Sequence, residues 1–270
     1  MLMRVDTFTA LSFGVIGIIF GLIFGSAINA IVWRLHVGRS WAKGRSECPD
    51  CGHVLHSKDL IPVVSWALLG GKCRYCRKPI KDHPIVELLT AGVFGLSAYV
   101  LAPVTPLDSL RLVLWLVLAV MLIVLAVYDA KWMLLPDKIM YPLIVVGLLF
   151  TGIMAFASGN MHGLFSAVVA AGVAGGGFFA IVFLTKGRAM GGGDIKLAAA
   201  MGLILGAEGT AVAMLVAFNV AAVVGLVMII SRLKARSDQI PFGPYLVGGT
   251  IIAFLYGRDI VAWYLKINGI

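Results

Sequence analysis

The chain has 270 residues, of which 60% are hydrophobic and only 13% are charged. Soluble domains are about 45–50% apolar and about 25% charged, so this composition excludes a water-soluble globular protein and a disordered chain. The net charge of +9 would suit a nucleic-acid-binding protein, but residues 34–83 alone hold ten Lys or Arg and four Asp or Glu. Basic charge gathered in one segment is typical of a cytoplasmic loop of a membrane protein, and no nucleic acid partner is expected.

Apolar segments follow one another along the whole chain. Residues 112–127 are apolar at every position, whereas the strands of a membrane barrel alternate apolar and polar residues. Since a spanning helix needs about 20 apolar residues, the sequence predicts an all-α polytopic membrane protein with about eight transmembrane helices. The predicted spans are residues 11–33, 84–101, 110–128, 139–157, 164–184, 195–205, 210–230 and 242–256.

The distribution of basic residues predicts how the chain is oriented and divided. With these spans, 18 of the 22 Lys and Arg residues fall in segments assigned to the cytoplasm, as the positive-inside rule requires. We therefore expect an external N-terminus and a first transmembrane helix in residues 1–34. A small cytoplasmic insert in residues 35–83 follows, and residues 84–270 form the transmembrane core.

All four cysteines lie in the predicted insert. They form two C-x2-C pairs, Cys48 with Cys51 and Cys73 with Cys76, separated by 21 residues. Paired cysteines about 15–20 residues apart are typical of zinc sites, and four thiolates close a tetrahedral shell without an open position. The pattern therefore predicts a structural zinc site, with unliganded thiols or a redox pair as the alternatives.

Two aspartates are candidates for chemistry at the membrane boundary. Asp129 ends a long apolar segment, and Asp194 follows three glycines at the start of another. Acids at this depth are rare and usually functional. Two carboxylates in contact share one proton, so one can activate water while the other protonates the scissile carbonyl or the leaving amine. The alternative is two solvated carboxylates. Asp137 is an alternative candidate for the role of Asp129. Because Asp137 directly precedes a predicted helix, a role in stabilising the positive end of the helix dipole is favoured instead.

Together, and in this order, the motifs resemble the type IV prepilin peptidase family, over nearly the whole chain. The matching stretches are Gly25-Ser26-Ala27-Ile28-Asn29, Arg34-Leu35, the two cysteine pairs, residues 59–66, Gly71-Lys72-Cys73, residues 84–90, Asp129 with Leu135-Pro136-Asp137, residues 191–197 and Pro241-Phe242-Gly243-Pro244.

The resemblance implies an intramembrane aspartyl endopeptidase of the bacterial cytoplasmic membrane. Its catalytic residues map onto Asp129 and Asp194, and it removes a short basic leader from prepilins or pseudopilins at the cytoplasmic face. Bifunctional members then methylate the new N-terminus with S-adenosylmethionine, and the resemblance associates this activity with Gly71. The resemblance also implies residues that support the aspartates. They are Gly191 and Gly193, which form a Gly-x-Gly-Asp (GxGD) motif with Asp194, and Lys196, which follows this motif.

Two other interpretations of the same sequence remain open. A channel or transporter with a zinc-stabilised cytoplasmic domain would use Asp129 and Asp194 in an ion pathway and would cleave no peptide. A peptidase without methyltransferase activity would keep the two aspartates but leave the new N-terminus unmodified.

Overall fold

The computed structural model describes residues 6–41, 43–80, 84–187, 190–233, 235 and 239–268. Four of the basic residues assigned to the cytoplasm, Lys81, Arg188, Lys234 and Arg236, lie outside the described residues, as does the predicted end of the insert at His83. The chain forms two compact units, Met1–Leu116 and Val117–Ile270.

The described part of the chain is all-helical, which confirms the predicted fold class. Two isolated β-bridges occur within it, but no strand. The α-helices are α1 (Thr7–His36), α2 (Val64–Leu68), α3 (Ile85–Val100), α4 (Pro106–Trp132), α5 (Asp137–Ser158), α6 (Met161–Leu184), α7 (Gly192–Ile230) and α8 (Gly243–Ile267).

Six described helices, α1 and α4 to α8, are long and apolar enough to cross a membrane. The span predicted at residues 84–101 corresponds to α3, which is apolar but has only 16 residues. The spans predicted at residues 195–205 and 210–230 both lie in α7, which has 39 residues. The protein is therefore a multi-pass helical protein, and the count of eight spans stays a prediction.

In the N-terminal unit, glycines let α1 and α3 pack with their backbones in contact. The α1 glycines Gly14, Gly17, Gly21 and Gly25 are all buried. A Cβ added at Gly21 would lie 2.5 Å from the Cα of Ala91, and one at Gly25 would lie 2.5 Å from the Cα of Glu87. Small residues at such spacing allow close helix approach inside a bilayer, where burial of apolar surface gives little association energy.

In the C-terminal unit, the first part of α7 is largely buried. Leu197, Ala198, Ala200 and Met201 are all completely buried. Gly202 lies directly against the backbone of Ala171 in α6. Residues 197–205 are apolar at every position, as expected for a helix segment surrounded by other helices.

The chain reverses direction within α7. Gly206 has φ 69° and ψ −175°, a backbone conformation that is essentially restricted to glycine. Before Gly206, α7 runs antiparallel to α6, because Ala199 contacts Gly175 and the N–H of Ala207 donates to Ser166 Oγ at 3.2 Å. After Gly206, α7 runs parallel to α6, since the ring of Phe218 lies beside that of Phe178. Two arms, residues 192–205 and 207–230, therefore meet at a sharp bend.

Candidate active site and metal centre

Asp194 lies in the first turn of α7 and is only 8% exposed. Gly191 is the N-cap residue, and its N–H donates to Asp194 Oδ2 at 3.2 Å. This bond is one of the two that make up a capping box, and it stabilises the start of α7. A Cβ added at Gly193 would lie 2.8 Å from the Cβ of Leu135. Glycine at position 193 is therefore needed for the loop between α4 and α5 to pack against the start of α7.

Asp129 lies in the last turn of α4 and is 6% exposed. Its Oδ2 accepts a hydrogen bond of 2.9 Å from the backbone N–H of Gly243, the first residue of α8. Backbone N–H groups at a helix start have no partner within the helix and favour negative charge. The start of α8 therefore holds this carboxylate in place and favours its ionised form.

The structure brings the two predicted catalytic aspartates together. Asp129 and Asp194 are close enough for their charges to interact. The contact between Leu135 and Gly193 joins the segment that follows Asp129 to the glycines that precede Asp194. Both carboxylates are buried at helix ends, each with one backbone N–H donor, an arrangement that suits general acid–base chemistry on a peptide bond.

Asp137, the alternative to Asp129, has a different partner. The Nζ of Lys196 donates to Asp137 Oδ1 at 2.6 Å and to the hydroxyl of Tyr141 at 3.3 Å. The Asp137 side chain is 55% exposed. It lies in the first turn of α5, where a carboxylate suits the helix dipole. The ion pair of Asp137 with Lys196 therefore favours Asp129 as the partner of Asp194.

The four cysteines form one cluster in the N-terminal unit. All four Sγ atoms lie within 4.8 Å of one another, and those of Cys48 and Cys76 are 4.0 Å apart. Zinc–sulfur bonds of about 2.3 Å in a tetrahedron place sulfur atoms about 3.8 Å apart, so the cluster fits a zinc ion. Burial raises the pKa of the Cys48 thiol to about 11. Burial also opposes ionisation of Cys73, but there the N–H groups of Cys76 and Tyr75 outweigh it and lower the pKa to about 7, so Cys73 loses its proton before Cys48. A lowered pKa favours the thiolate form that binds metal.

Asp59 anchors the second cysteine pair. It accepts hydrogen bonds from Arg74 Nε at 2.7 Å and from the Tyr75 hydroxyl at 2.8 Å, and both donors lie between Cys73 and Cys76. Burial opposes the charge on Asp59, but these two bonds lower its pKa below the ordinary value. The ring of His53 stacks on Tyr75 with centroids 3.6 Å apart. The two cysteine pairs are thus tied to the rest of the insert by side-chain contacts.

Gly71 lies beside a tryptophan and has a left-handed backbone. Its φ is +70°, and a Cβ added there would lie 3.1 Å from Cζ2 of Trp66. Its N–H donates to the carbonyl oxygen of Trp66 at 2.9 Å. A side chain at position 71 would therefore strain the backbone and press on the indole.

Comparisons with known proteins identify the family of the chain. Residues 19–101 match the model of the bacterial peptidase A24 N-terminal domain, and residues 116–230 match that of the type IV leader peptidase family. The chain is 35% identical to a prepilin leader peptidase/N-methyltransferase of Aeromonas hydrophila, with 92% of each chain covered. It belongs to the type IV leader peptidase family.

Relatives with the same name occur in distant bacteria. The proteins of Pseudomonas aeruginosa strain PAO1 and Bacillus subtilis strain 168 are 34% and 32% identical to this chain. The first comparison covers 96% of both chains, and the second covers 92% of this chain and 96% of the relative. No solved structure matches the chain.

The two family matches divide the candidate residues by chemistry. The A24 N-terminal domain contains the four cysteines and Gly71, whereas the type IV leader peptidase match contains Asp129 and Asp194. Gly243 lies beyond both matches. From the sequence, Gly243 was named only within a stretch that resembles the family, and its bond to Asp129 was missed. The adjacent Pro244, which is common in the first turn of helices, was the one signal that a helix starts at this point.

Proposed function

We propose that the chain is an intramembrane aspartyl endopeptidase that removes the leader peptide from type IV prepilins or pseudopilins and then methylates the new N-terminus. The observation that carries the peptidase activity is the buried pair of Asp129 and Asp194, each held by a backbone N–H at a helix end. The names of the relatives, which join leader peptidase and N-methyltransferase, support both activities.

The geometry supports different roles for the two aspartates. Asp129 accepts the shorter bond, from the start of α8, which favours the carboxylate, so it acts as the general base that takes a proton from water. Asp194 caps its own helix and holds the shared proton, which it donates to the scissile carbonyl oxygen as water attacks the carbon. When the C–N bond breaks, the leaving amine takes the proton that Asp129 received, and one hydroxyl of the tetrahedral intermediate returns a proton to Asp194 as the carboxylic acid forms.

The test is cleavage of a model prepilin by the purified protein in detergent. Asp129→Asn and Asp194→Asn should each lower the cleavage rate by about 10²–10⁴-fold, because each removes one proton-transfer group. Asp259→Asn is the matched control, since Asp259 is exposed in α8. Full cleavage by either active-site variant would refute the pair. A wild-type protein that cleaves no prepilin would favour a channel or transporter.

The methylation step is tested on the same product. S-adenosylmethionine supplies the methyl group when it is bound, and mass spectrometry of the cleaved pilin should detect one added methyl at the N-terminus. A cleaved but unmodified N-terminus would show that the protein is a peptidase without methyltransferase activity.

We propose that Cys48, Cys51, Cys73 and Cys76 hold a structural zinc ion. Elemental analysis should find about one zinc per chain, because four thiolates form a closed shell. Cys73→Ser should lower the zinc content and make the insert more sensitive to protease, whereas Ser57→Ala, an exposed change in the same insert, should alter neither. A folded wild-type protein without bound metal would contradict the site.

We also propose that the protein lies in the bacterial cytoplasmic membrane with the insert and both aspartates on the cytoplasmic side. The basic residues of the insert support this orientation, because Lys and Arg are enriched in cytoplasmic loops. A basic leader that stays in the cytoplasm would then reach the aspartates without crossing the bilayer.

A further inference from the structure

The N-terminal unit contains a cavity that extends well beyond the four-cysteine cluster. The two aspartates do not line it. The cavity has a volume of about 210 Å³ and is partly open to solvent. Residues from the C-terminal half of α1, from α2 and from the start of α3 line it, and Cys48 and Cys73 form one edge. Three of the lining residues carry groups suited to an aromatic, cationic ligand, namely Asn29, Trp66 and Glu87.

Glu87 gives the cavity a negative charge that no described cation neutralises. Among the other charged residues of its lining, Asp59 is paired with Arg74, Glu47 is paired with Arg39, and Arg34 donates to the carbonyl oxygens of Trp41 and Gly44. Arg45 also lines the cavity, but it forms no ion pair with Glu87. Glu87 instead accepts from the N–H of Val63 at 2.5 Å and from Ser26, and no described Lys or Arg pairs with it. A half-buried carboxylate of this kind is stabilised by a cationic ligand.

Asn29 adds an acceptor for a hydrogen bond. Its Oδ1 is buried and has no hydrogen-bond partner among the described residues. A buried acceptor without a partner destabilises the empty site, and a ligand N–H relieves this cost. An exocyclic amine of a purine is a donor of the required kind.

Trp66 provides an aromatic face, and the structure holds it firmly. It lies in α2, which starts after Val63, a β-branched residue with φ 60°. This conformation is rare for such a residue, and the bond from Val63 N–H to Glu87 maintains it. Gly71 leaves just enough space for the indole. The strained residue Val63 and the closely packed Gly71 therefore both fix the position of Trp66, the one aromatic residue of α2. An indole face can bind both cations and nucleobases.

We propose that this cavity binds S-adenosylmethionine, with Glu87 opposing the sulfonium charge, Trp66 contacting the ligand with its indole face and Asn29 accepting from the adenine amine. The inference rests on the proposed methyltransferase function and locates its cofactor. It also accounts for Gly71, because a side chain there would displace Trp66 from the cavity wall.

Direct binding to the purified full-length protein tests the assignment. We expect Glu87→Gln to weaken S-adenosylmethionine about tenfold or more, since it removes an interaction with a charged group. S-adenosylhomocysteine has no sulfonium charge, so its affinity should change much less. Glu208→Gln, an exposed change in α7, is the matched control. A Glu87→Gln variant that still binds the methyl donor as tightly as the wild type would overturn the proposal.

Two further variants separate ligand binding from folding. Asn29→Leu removes a buried acceptor that lacks a partner, so it should keep or raise the melting temperature while it weakens the methyl donor. Trp66→Phe should weaken the methyl donor, and Trp263→Phe, at an exposed tryptophan of α8, should not. Cleavage of a model prepilin should persist in all these variants, which shows that they are folded. Unchanged binding in both Asn29→Leu and Trp66→Phe would contradict the assignment.

Photo-crosslinking locates the ligand independently of activity. Radiolabelled S-adenosylmethionine, irradiated on the wild-type protein, should label a peptide that contains Trp66. Labelling only within residues 117–270 would overturn the location while leaving the methyltransferase function intact. A wild-type protein that neither binds the methyl donor nor methylates cleaved pilin would overturn the proposed function itself.

Discussion

The contact between Asp129 and Gly243 joins residues 114 positions apart in the sequence. A Cβ added at Gly243 would lie 2.7 Å from Asp129 Oδ2, so only glycine fits against the carboxylate. The N-terminus of α8 thus orients Asp129 through its backbone and contributes no side chain to the bond. Gly243 is therefore a positioning residue for the proposed general base.

Gly243→Ala should reduce prepilin cleavage by about 10²-fold, because a displacement of about 1 Å at a catalytic group has an effect of this size. Gly248→Ala in the same helix is the matched control, since a Cβ there meets no atom within 4 Å. Cleavage rates at saturating substrate, together with melting temperatures, distinguish misplacement of Asp129 from unfolding. Equal rates for both variants would contradict the role of Gly243.

At the scale of elements, the glycines of α1 determine how closely α1 and α3 approach. The added Cβ at Gly21 would meet backbone atoms of Ala91, which cannot move independently of α3. Gly92 lies next to Ala91 in the sequence, but a Cβ there meets no atom within 4 Å. Gly92 is exposed and lies outside the contact with α1, so the two glycines differ sharply in the space they leave for a methyl group.

Gly21→Ala should destabilise the protein by about 1–3 kcal/mol, because overpacking forces the backbones apart. Gly92→Ala should be neutral or stabilising, since alanine has a higher helix propensity than glycine. Thermal unfolding of both variants in the same detergent measures the difference. A Gly21→Ala variant as stable as Gly92→Ala would show that α1 and α3 are packed less closely than described.

At the scale of the whole molecule, the proposed orientation makes the turn after α5 external and the end of α7 cytoplasmic. The turn after α5 contains Ser158 and Gly159, and α7 ends before Ser231 and Arg232. Basic residues cluster near the second site and are absent from the first. The two segments should therefore react with impermeant reagents from opposite sides of the membrane.

In intact cells, a membrane-impermeant maleimide should label Ser158→Cys but not Ser231→Cys. Inverted vesicles should give the opposite result, because the positive-inside rule places the basic segment in the cytoplasm. The unmodified protein is the control for the four native cysteines, which should stay unlabelled in intact cells. Labelling of the native cysteines from outside would reverse the proposed orientation.

The sequence predicted what depends on local patterns, and it missed what depends on contacts between distant residues. Spacing and order were enough to find the four cysteines, which cluster in the structure. Hydropathy placed the last span at residues 242–256, but α8 continues to Ile267, because a helix can extend through polar residues such as Arg258 and Asp259. The Asp129–Gly243 bond depends on how α4 and α8 pack, which no periodicity encodes.

The bend at Gly206 has a consequence for the depth of Asp194. The first arm of α7, residues 192–205, rises about 21 Å at 1.5 Å per residue. The hydrocarbon core of a bilayer is about 30 Å thick. Asp194 lies 12 residues before Gly206, a rise of about 18 Å. If the bend lies at the outer boundary, Asp194 therefore lies about 12 Å inside the inner boundary unless the lipid thins around it. Hydrophobic mismatch at this short arm then couples local membrane thickness to the position at which a substrate helix is cut.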